Sequence, residues 1–217
     1  MKLKLGPGVI VAAAFIGPGT VTACTLAGAN FGYALVWALV FATIATIILQ
    51  DMAARLGAGA QLGLGEALMQ STPSRALKWI GGALVFAALL IGNSAYEGGN
   101  LSGGALGLDA LLGSNSPGQN ALVAVLALFA GTAIVLGRYR TLEKILIGLV
   151  LLMSAAFILS AIMVRPDLGA FLGGLRPHIP GGGTLTAIAL IGTTIVPYNL
   201  FLHAAATRRK WPDGTGV

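Results

Sequence analysis

Charge is scarce in this chain: of its 217 residues only 9% are Asp, Glu, Lys or Arg, while 56% are hydrophobic. A soluble domain carries about 25% charged residues, so there is too little polar surface here to cover a water-exposed globule. Cysteine is scarcer still. Cys24 stands alone in an apolar run, which excludes an intrachain disulfide framework and reads as a small packing residue. The basic residues are scattered singly among apolar runs, with no stripe of interleaved aromatics. The net charge of +6 therefore does not point to nucleic acid, and no such partner is expected. A cleavage site is lacking after Met1-Lys2-Leu3-Lys4; the apolar stretch runs on and reads as a membrane span rather than a signal peptide.

What the chain has in abundance is apolar length. A helix crossing the hydrocarbon core needs roughly 20 mostly apolar residues. Six stretches qualify: 8–29, 33–54, 77–98, 120–137, 145–164 and 184–206. With the N-terminus inside, the cytoplasmic segments carry Lys2, Lys4, Arg55, Arg75, Lys78, Arg138, Arg140, Lys144, Arg208, Arg209 and Lys210. The external segments carry only Arg165 and Arg176. Short loops with this bias place both termini in the cytoplasm. Residues 103–119, rich in Gly, Ser and Asn, and 166–183, rich in Gly and Pro, read as external turn-forming connections. The internal segment 57–74 leaves room for a short interfacial helix.

Two of the six spans are interrupted. Span one contains Ile16-Gly17-Pro18-Gly19-Thr20, and span six contains Gly192-Thr193-Thr194-Ile195-Val196-Pro197-Tyr198-Asn199. Proline removes a backbone donor and clashes with the preceding turn, and the flanking glycines ease unwinding. Broken backbone is tolerated in lipid only where protein or a water-filled cavity surrounds it. Breaks at matching places in two halves mark a transporter's midplane site, and spans one and six have the offset of a five-helix inverted repeat.

Several further motifs, in order, carry a family likeness. Gly6-Pro7-Gly8 leads to the first break, and Leu49-Gln50-Asp51-Met52-Ala53-Ala54-Arg55-Leu56-Gly57 closes span two. Tyr139-Arg140-Thr141-Leu142-Glu143 opens span five, and Val196-Pro197-Tyr198-Asn199-Leu200-Phe201-Leu202-His203 lies in span six. From about Gly6 to Trp211 the chain resembles the natural resistance-associated macrophage protein (NRAMP) family, proton-coupled importers of divalent transition metals. The resemblance implies an all-α integral membrane fold of the leucine-transporter inverted-repeat type. It also implies a single membrane domain over 1–217, with a first repeat at about 6–165 and a second beginning at about 184–206. Because the family has about eleven spans, the chain is expected to be the N-terminal half of a transporter whose C-terminal half is its missing partner.

The site departs from the family pattern. The family's Asp-Pro-Gly-Asn, whose Asp and Asn ligate the metal, reads Gly17-Pro18-Gly19-Thr20 here, and its Met-Pro-His reads Val196-Pro197-Tyr198. A carboxylate supplies charge against a divalent cation, and a thioether favours softer transition metals. What remains is backbone carbonyl oxygen with the hydroxyls of Thr20, Thr193 and Thr194. The expected substrate site is therefore Gly17, Pro18, Gly19, Thr20, Thr193, Thr194, Val196, Pro197 and Tyr198, with no confident metal ligand and no cofactor.

For proton coupling, the resemblance points to Glu97, which matches one acidic family position in span three, and to His203. Burying charge in lipid is expensive, which marks Glu97 as functional; the plainer reading is a structural partner or a water-facing residue. His203 is either a titrating group or a packing histidine. Asp51 with Arg55, and Arg140 with Glu143, are either gate ion pairs or solvated helix ends.

The expected function is secondary active transport of a cation, nominally a divalent metal ion, by alternating access in the cell's inner (plasma) membrane. Protons are the candidate coupled ion, and no enzyme activity is expected. The alternatives are magnesium, a monovalent ion or a small organic solute as cargo, or a non-transporting sensor or channel-like relative. Ser94 and His203 could also be nominated as an intramembrane protease pair, although Gly92-Asn93-Ser94-Ala95 lacks the Gly-x-Ser-Gly pattern.

Overall fold

The computed structural model describes residues 17–137 and 139–212, and the side chains of 139–143 and 146 are outside that description. Among the described residues the elements are helical. They are α1 Pro18–Phe31, α2 Val36–Ala58, α3 Leu64–Ser71, α4 Arg75–Ala87 and α5 Asn93–Leu112, followed by α6 Gln119–Leu136, α7 Tyr139–Val164, α8 Leu168–Gly173, α9 Thr184–Thr194 and α10 Pro197–Lys210. A widened π turn, Ala88–Gly92, joins α4 to α5. Among the described residues, five helical runs are long and apolar enough to cross a membrane: Val36–Ala58, Arg75–Asn115, Gln119–Leu136, Ile147–Val164 and Thr184–Lys210. These match spans two to six, and the early part of span one, residues 8–16, lies outside the described residues. Exposed Leu151, Leu152 and Ile162 on α7 are the surface a bilayer would solvate. The protein is a multi-pass membrane protein.

Two connections expected to be external turns differ from that expectation. Residues 103–112 belong to α5 rather than to a loop, so the helical run from Arg75 reaches Asn115, 41 residues in all. Gly103 lets the start of α1 lie against this helix: a Cβ there would meet the Pro18 carbonyl at 2.8 Å. Within 166–183 a short helix, α8, forms because Asp167 caps it. The Asp167 Oδ1 accepts the N–H groups of Gly169 (2.8 Å) and Ala170 (3.2 Å), satisfying donors a helix start leaves open. A short helix, α3, forms within 57–74.

The described residues fall into two compact units. One comprises 41–96 and 194–212, the other 17–40 and 97–193. In the second, Ala27, Leu35, Ala187 and Leu190 form a core, with Ala23, Cys24, Phe31 and Leu39 packed on it; Cys24 is the packing residue its context suggested. Trp37 pins the α8 segment down: its backbone N–H donates to Gly174 O (3.0 Å) and its Nε1 to His178 O (2.9 Å). In the first unit, α10 lies along α2. Thr46 donates to Thr194 O at 3.3 Å, and Gln50 meets His203. Gly57 has no room for a Cβ beside the Ala204 carbonyl and the Thr207 hydroxyl.

Candidate functional site

The first break is a helix start. Gly17 is extended (φ −117°, ψ 164°), Pro18 takes the first helical position, and Val21 N–H donates to Gly17 O at 3.2 Å. Pro suits that position because its missing donor would be unpaired anyway. The next donor, Gly19 N–H, is taken up by Asn100 Oδ1 on α5 at 3.2 Å. Asn100 Nδ2 in turn donates to Glu97 Oε2 at 3.3 Å. The same carboxamide fills the space beside the break: a Cβ on Gly17 would run into Asn100 Oδ1, and one on Gly19 would meet the Gly99 carbonyl carbon at 3.0 Å. Position 17 is thus closed to any side chain while Asn100 keeps this place. Beside the break, α1, α5 and α9 bound an open groove of about 430 Å³, lined by Gly19, Thr22, Gly99, Gly103, Thr186 and Ala189 among others.

Thr20 sits half-buried in the first turn of α1. Thr193 turns its hydroxyl onto its own helix, donating to Leu190 O at 3.2 Å. Glu97 is exposed and is joined through Asn100 to the first break, which makes it more than a lone charge on a span.

The second break lies between the end of α9 and the start of α10. Val196 is extended (φ −97°, ψ 118°) and Pro197 again opens the helix. Asn199 N–H closes a tight turn onto Val196 O at 3.2 Å. The Thr194 carbonyl, which the break removes from the helix ladder, accepts from Thr46 on α2. Tyr198 meets Tyr96 edge-on, with ring centroids 6.4 Å apart. Val196 is buried, 4% exposed, so an apolar side chain stands where the family resemblance places a thioether.

Polar groups along this seam are unevenly satisfied. His203 Nδ1 pairs with Gln50 Oε1, which fixes the imidazole against α2. Asn199 is fully buried, yet neither Nδ2 nor Oδ1 has a partner, and Gln50 Nε2 has none either. Each such group costs about 1–3 kcal/mol if left unpaired. The sequence analysis assigned no role to Gln50, Asn199 or Thr46. Their contacts join residues far apart in sequence, and no local pattern announces them.

The remaining candidates are peripheral. Asp51 and Arg55 form an i,i+4 ion pair at 2.8 Å, with side chains 56% and 69% exposed; exposed pairs of this kind contribute little to stability. Arg140 and Glu143 lie outside the described side chains. Ser94 donates to Leu90 O one turn back in its own helical run at 2.7 Å, whereas His203 is paired with Gln50, so the geometry does not assemble a serine–histidine pair from them. Among the described residues no three His, Cys, Asp or Glu side chains come together as a metal-holding group.

An ion pair missed by sequence reading ties α3 to α10. Glu66 Oε2 accepts from Arg208 at 2.8 Å and from the Gly63 N–H at 3.0 Å. The Gly63 N–H and, after it, the Arg208 guanidinium hold the Glu66 carboxyl below the ordinary carboxylate value. Gln61 Nε2 adds a second tie at this end, donating to Ala58 O and Trp211 O, both at 2.7 Å.

Comparison with known proteins places this architecture. Residues 8–216 match the family described as natural resistance-associated macrophage protein-like. The divalent metal cation transporter MntH of Mycobacterium tuberculosis (strain ATCC 25618 / H37Rv) is 30% identical over 209 residues, covering 95% of this chain and 47% of the relative. MntH of Bacillus subtilis (strain 168) is 31% identical over 210 residues, covering 95% and 48%. The crystal structure of a point mutant of the Eremococcus coleocola manganese transporter superposes with a TM-score of 0.70 at 30% identity, covering 97% of this chain and 43% of that one. The chain spans about half the length of the curated relatives it matches. With its apolar helical runs, its two proline-started breaks and a family match across nearly all of its residues, the chain belongs to the natural resistance-associated macrophage protein-like family.

Proposed function

We propose that this protein is the first half of a secondary active transporter that moves a cation, nominally a divalent metal ion, by alternating access. The repeats at about 6–165 and 184–206 would form one membrane domain with the missing half, in the inner membrane with both termini cytoplasmic. Its relatives named as divalent metal cation transporters support the general class. Residues Gly17 to Thr20, and Thr193, Thr194, Val196, Pro197 and Tyr198, are its substrate contacts. Glu97 and His203 are its proton-coupling groups, and Asp51, Arg55, Arg140 and Glu143 its gate residues.

One observation shapes the substrate reading: the Asn100 carboxamide stands where a side chain at position 17 would go. A neutral amide in place of a carboxylate leaves no negative charge on the broken segment itself to offset a dication's lost hydration, with Glu97 reaching it only through Asn100. Backbone carbonyls and threonine hydroxyls suit a hard or weakly bound cargo. This favours magnesium, a monovalent ion or a small organic solute over manganese or iron. Uptake by full-length protein in proteoliposomes, compared across manganese, magnesium and small organic solutes, tests it. The expected result is weak or absent manganese uptake beside a saturable response to another cargo. Tight, saturable manganese transport would overturn it.

A further inference from the structure

We infer that the seam between α2 and α10 holds an ordered water, bound by the carboxamides of Gln50 and Asn199 beside His203. This inference is independent of the substrate reading above.

The register along the seam places the site. Thr46 meets Thr194, Gln50 meets His203, and Gly57 meets Ala204 and Thr207, so the two segments run side by side in the same direction. Asn199 falls between Thr194 and His203, opposite the stretch from Thr46 to Gln50. It also stands four residues before His203, and such residues share a helix face. Asn199 is 0% exposed, so bulk solvent does not reach its amide. Three buried polar atoms in this stretch have no protein partner: Gln50 Nε2, Asn199 Nδ2 and Asn199 Oδ1.

The chemistry of those atoms selects the occupant. Two are N–H donors and one is an acceptor. A bare cation would find one free oxygen and two positively polarised donors. An anion would waste the acceptor. Water accepts from Gln50 Nε2 and Asn199 Nδ2 while donating to Asn199 Oδ1, and two to four polar partners are what a buried water takes. The two helices also bury small apolar side chains, Ala42, Ala53, Ala58 and Ala204, and the other buried polar side chain of the seam, Thr207, is satisfied by the His203 and Ala204 carbonyls. His203, held against Gln50 by Nδ1, is an oxidisable side chain next to the site.

X-ray hydroxyl-radical footprinting of the purified protein in lipid nanodiscs reads this directly, because radicals formed from a bound water label its neighbours before bulk solvent can enter. In the wild type, His203 is expected to be oxidised promptly. After rapid mixing into heavy-oxygen water, its first label should still carry the original oxygen. Asn199→Leu, and separately Gln50→Leu, should each lower His203 labelling by at least about threefold, while sodium, magnesium or manganese should leave wild-type labelling unchanged. The wild-type arm needs no variant to fold. His203 that stays unlabelled, takes its first oxygen from the mixed-in water, loses its label when a cation is added, or labels equally in both folded variants would overturn the assignment.

Discussion

At the first break the donor freed by the helix start, Gly19 N–H, is answered by Asn100, and the same carboxamide fills the space beside Gly17. At the second break Thr46 answers the freed Thr194 carbonyl, but the Asn199 amide in the first turn of α10 is left without a protein partner. Both breaks use the same local device, a proline in the first helical position after an extended residue. They differ in what the neighbouring span supplies. A break sealed by a neutral amide is closed to side-chain ligands. A break with orphaned amides is open to a small polar guest. The helical grammar is therefore common to both breaks, and the chemistry comes from long-range partners.

The largest expected effect sits at the seam carrying the second break. Gly57→Leu would drive a side chain into the Ala204 carbonyl and Thr207 hydroxyl, and rigid backbone cannot yield cheaply. A loss of ~3 kcal/mol is expected, measured as thermal unfolding in detergent. A Cβ at Gly81 meets nothing within 4 Å, so Gly81→Leu is the control for the added side chain. At the first break the obstacle is a side chain and not backbone. Gly17→Ala should therefore cost about 1–3 kcal/mol, and Asn100→Gly should recover part of it, appearing as a non-additive coupling in a double-mutant cycle. Strict additivity would mean that Asn100 is not what closes position 17.

Thr46→Val keeps the shape but removes the donor to Thr194 O, for an expected cost of about 1 kcal/mol. The smallest effect belongs to Glu66. Its folded carboxyl titrates below the ordinary value, so the stabilisation from ionised Glu66 is fully present above that ordinary value, about pH 4.3. It is lost as pH falls through the lower, folded value. Arg208→Ala should flatten that acid limb slightly, while Lys144→Ala should leave it unchanged.

Hydropathy alone revealed spans two to six, because lipid demands long apolar helices whatever the packing. Both breaks were equally legible: Gly17-Pro18-Gly19 and Pro197 are local punctuation with a fixed backbone meaning. Composition failed where tertiary contact overrode it. The Gly- and Ser-rich stretch after Ser102 looks like a turn, yet Gly103 is helical and lets α1 approach α5. The sequence around Asn100 predicts a polar helix residue and nothing more, since its partner Gly19 lies 81 positions away. The backbone of the two breaks could thus be read from sequence, while the side chains that pack against them could not.

The central claim is that Asn100, in place of a ligand at position 17, keeps the first break from holding a transition metal. Manganese titration of full-length protein in nanodiscs tests it most directly, comparing wild type, Gly17→Asp and Gly17→Asp/Asn100→Gly. Tight manganese binding is expected in the double variant and in neither of the others. Tight binding by the wild type, or equal binding by Gly17→Asp alone, would contradict it.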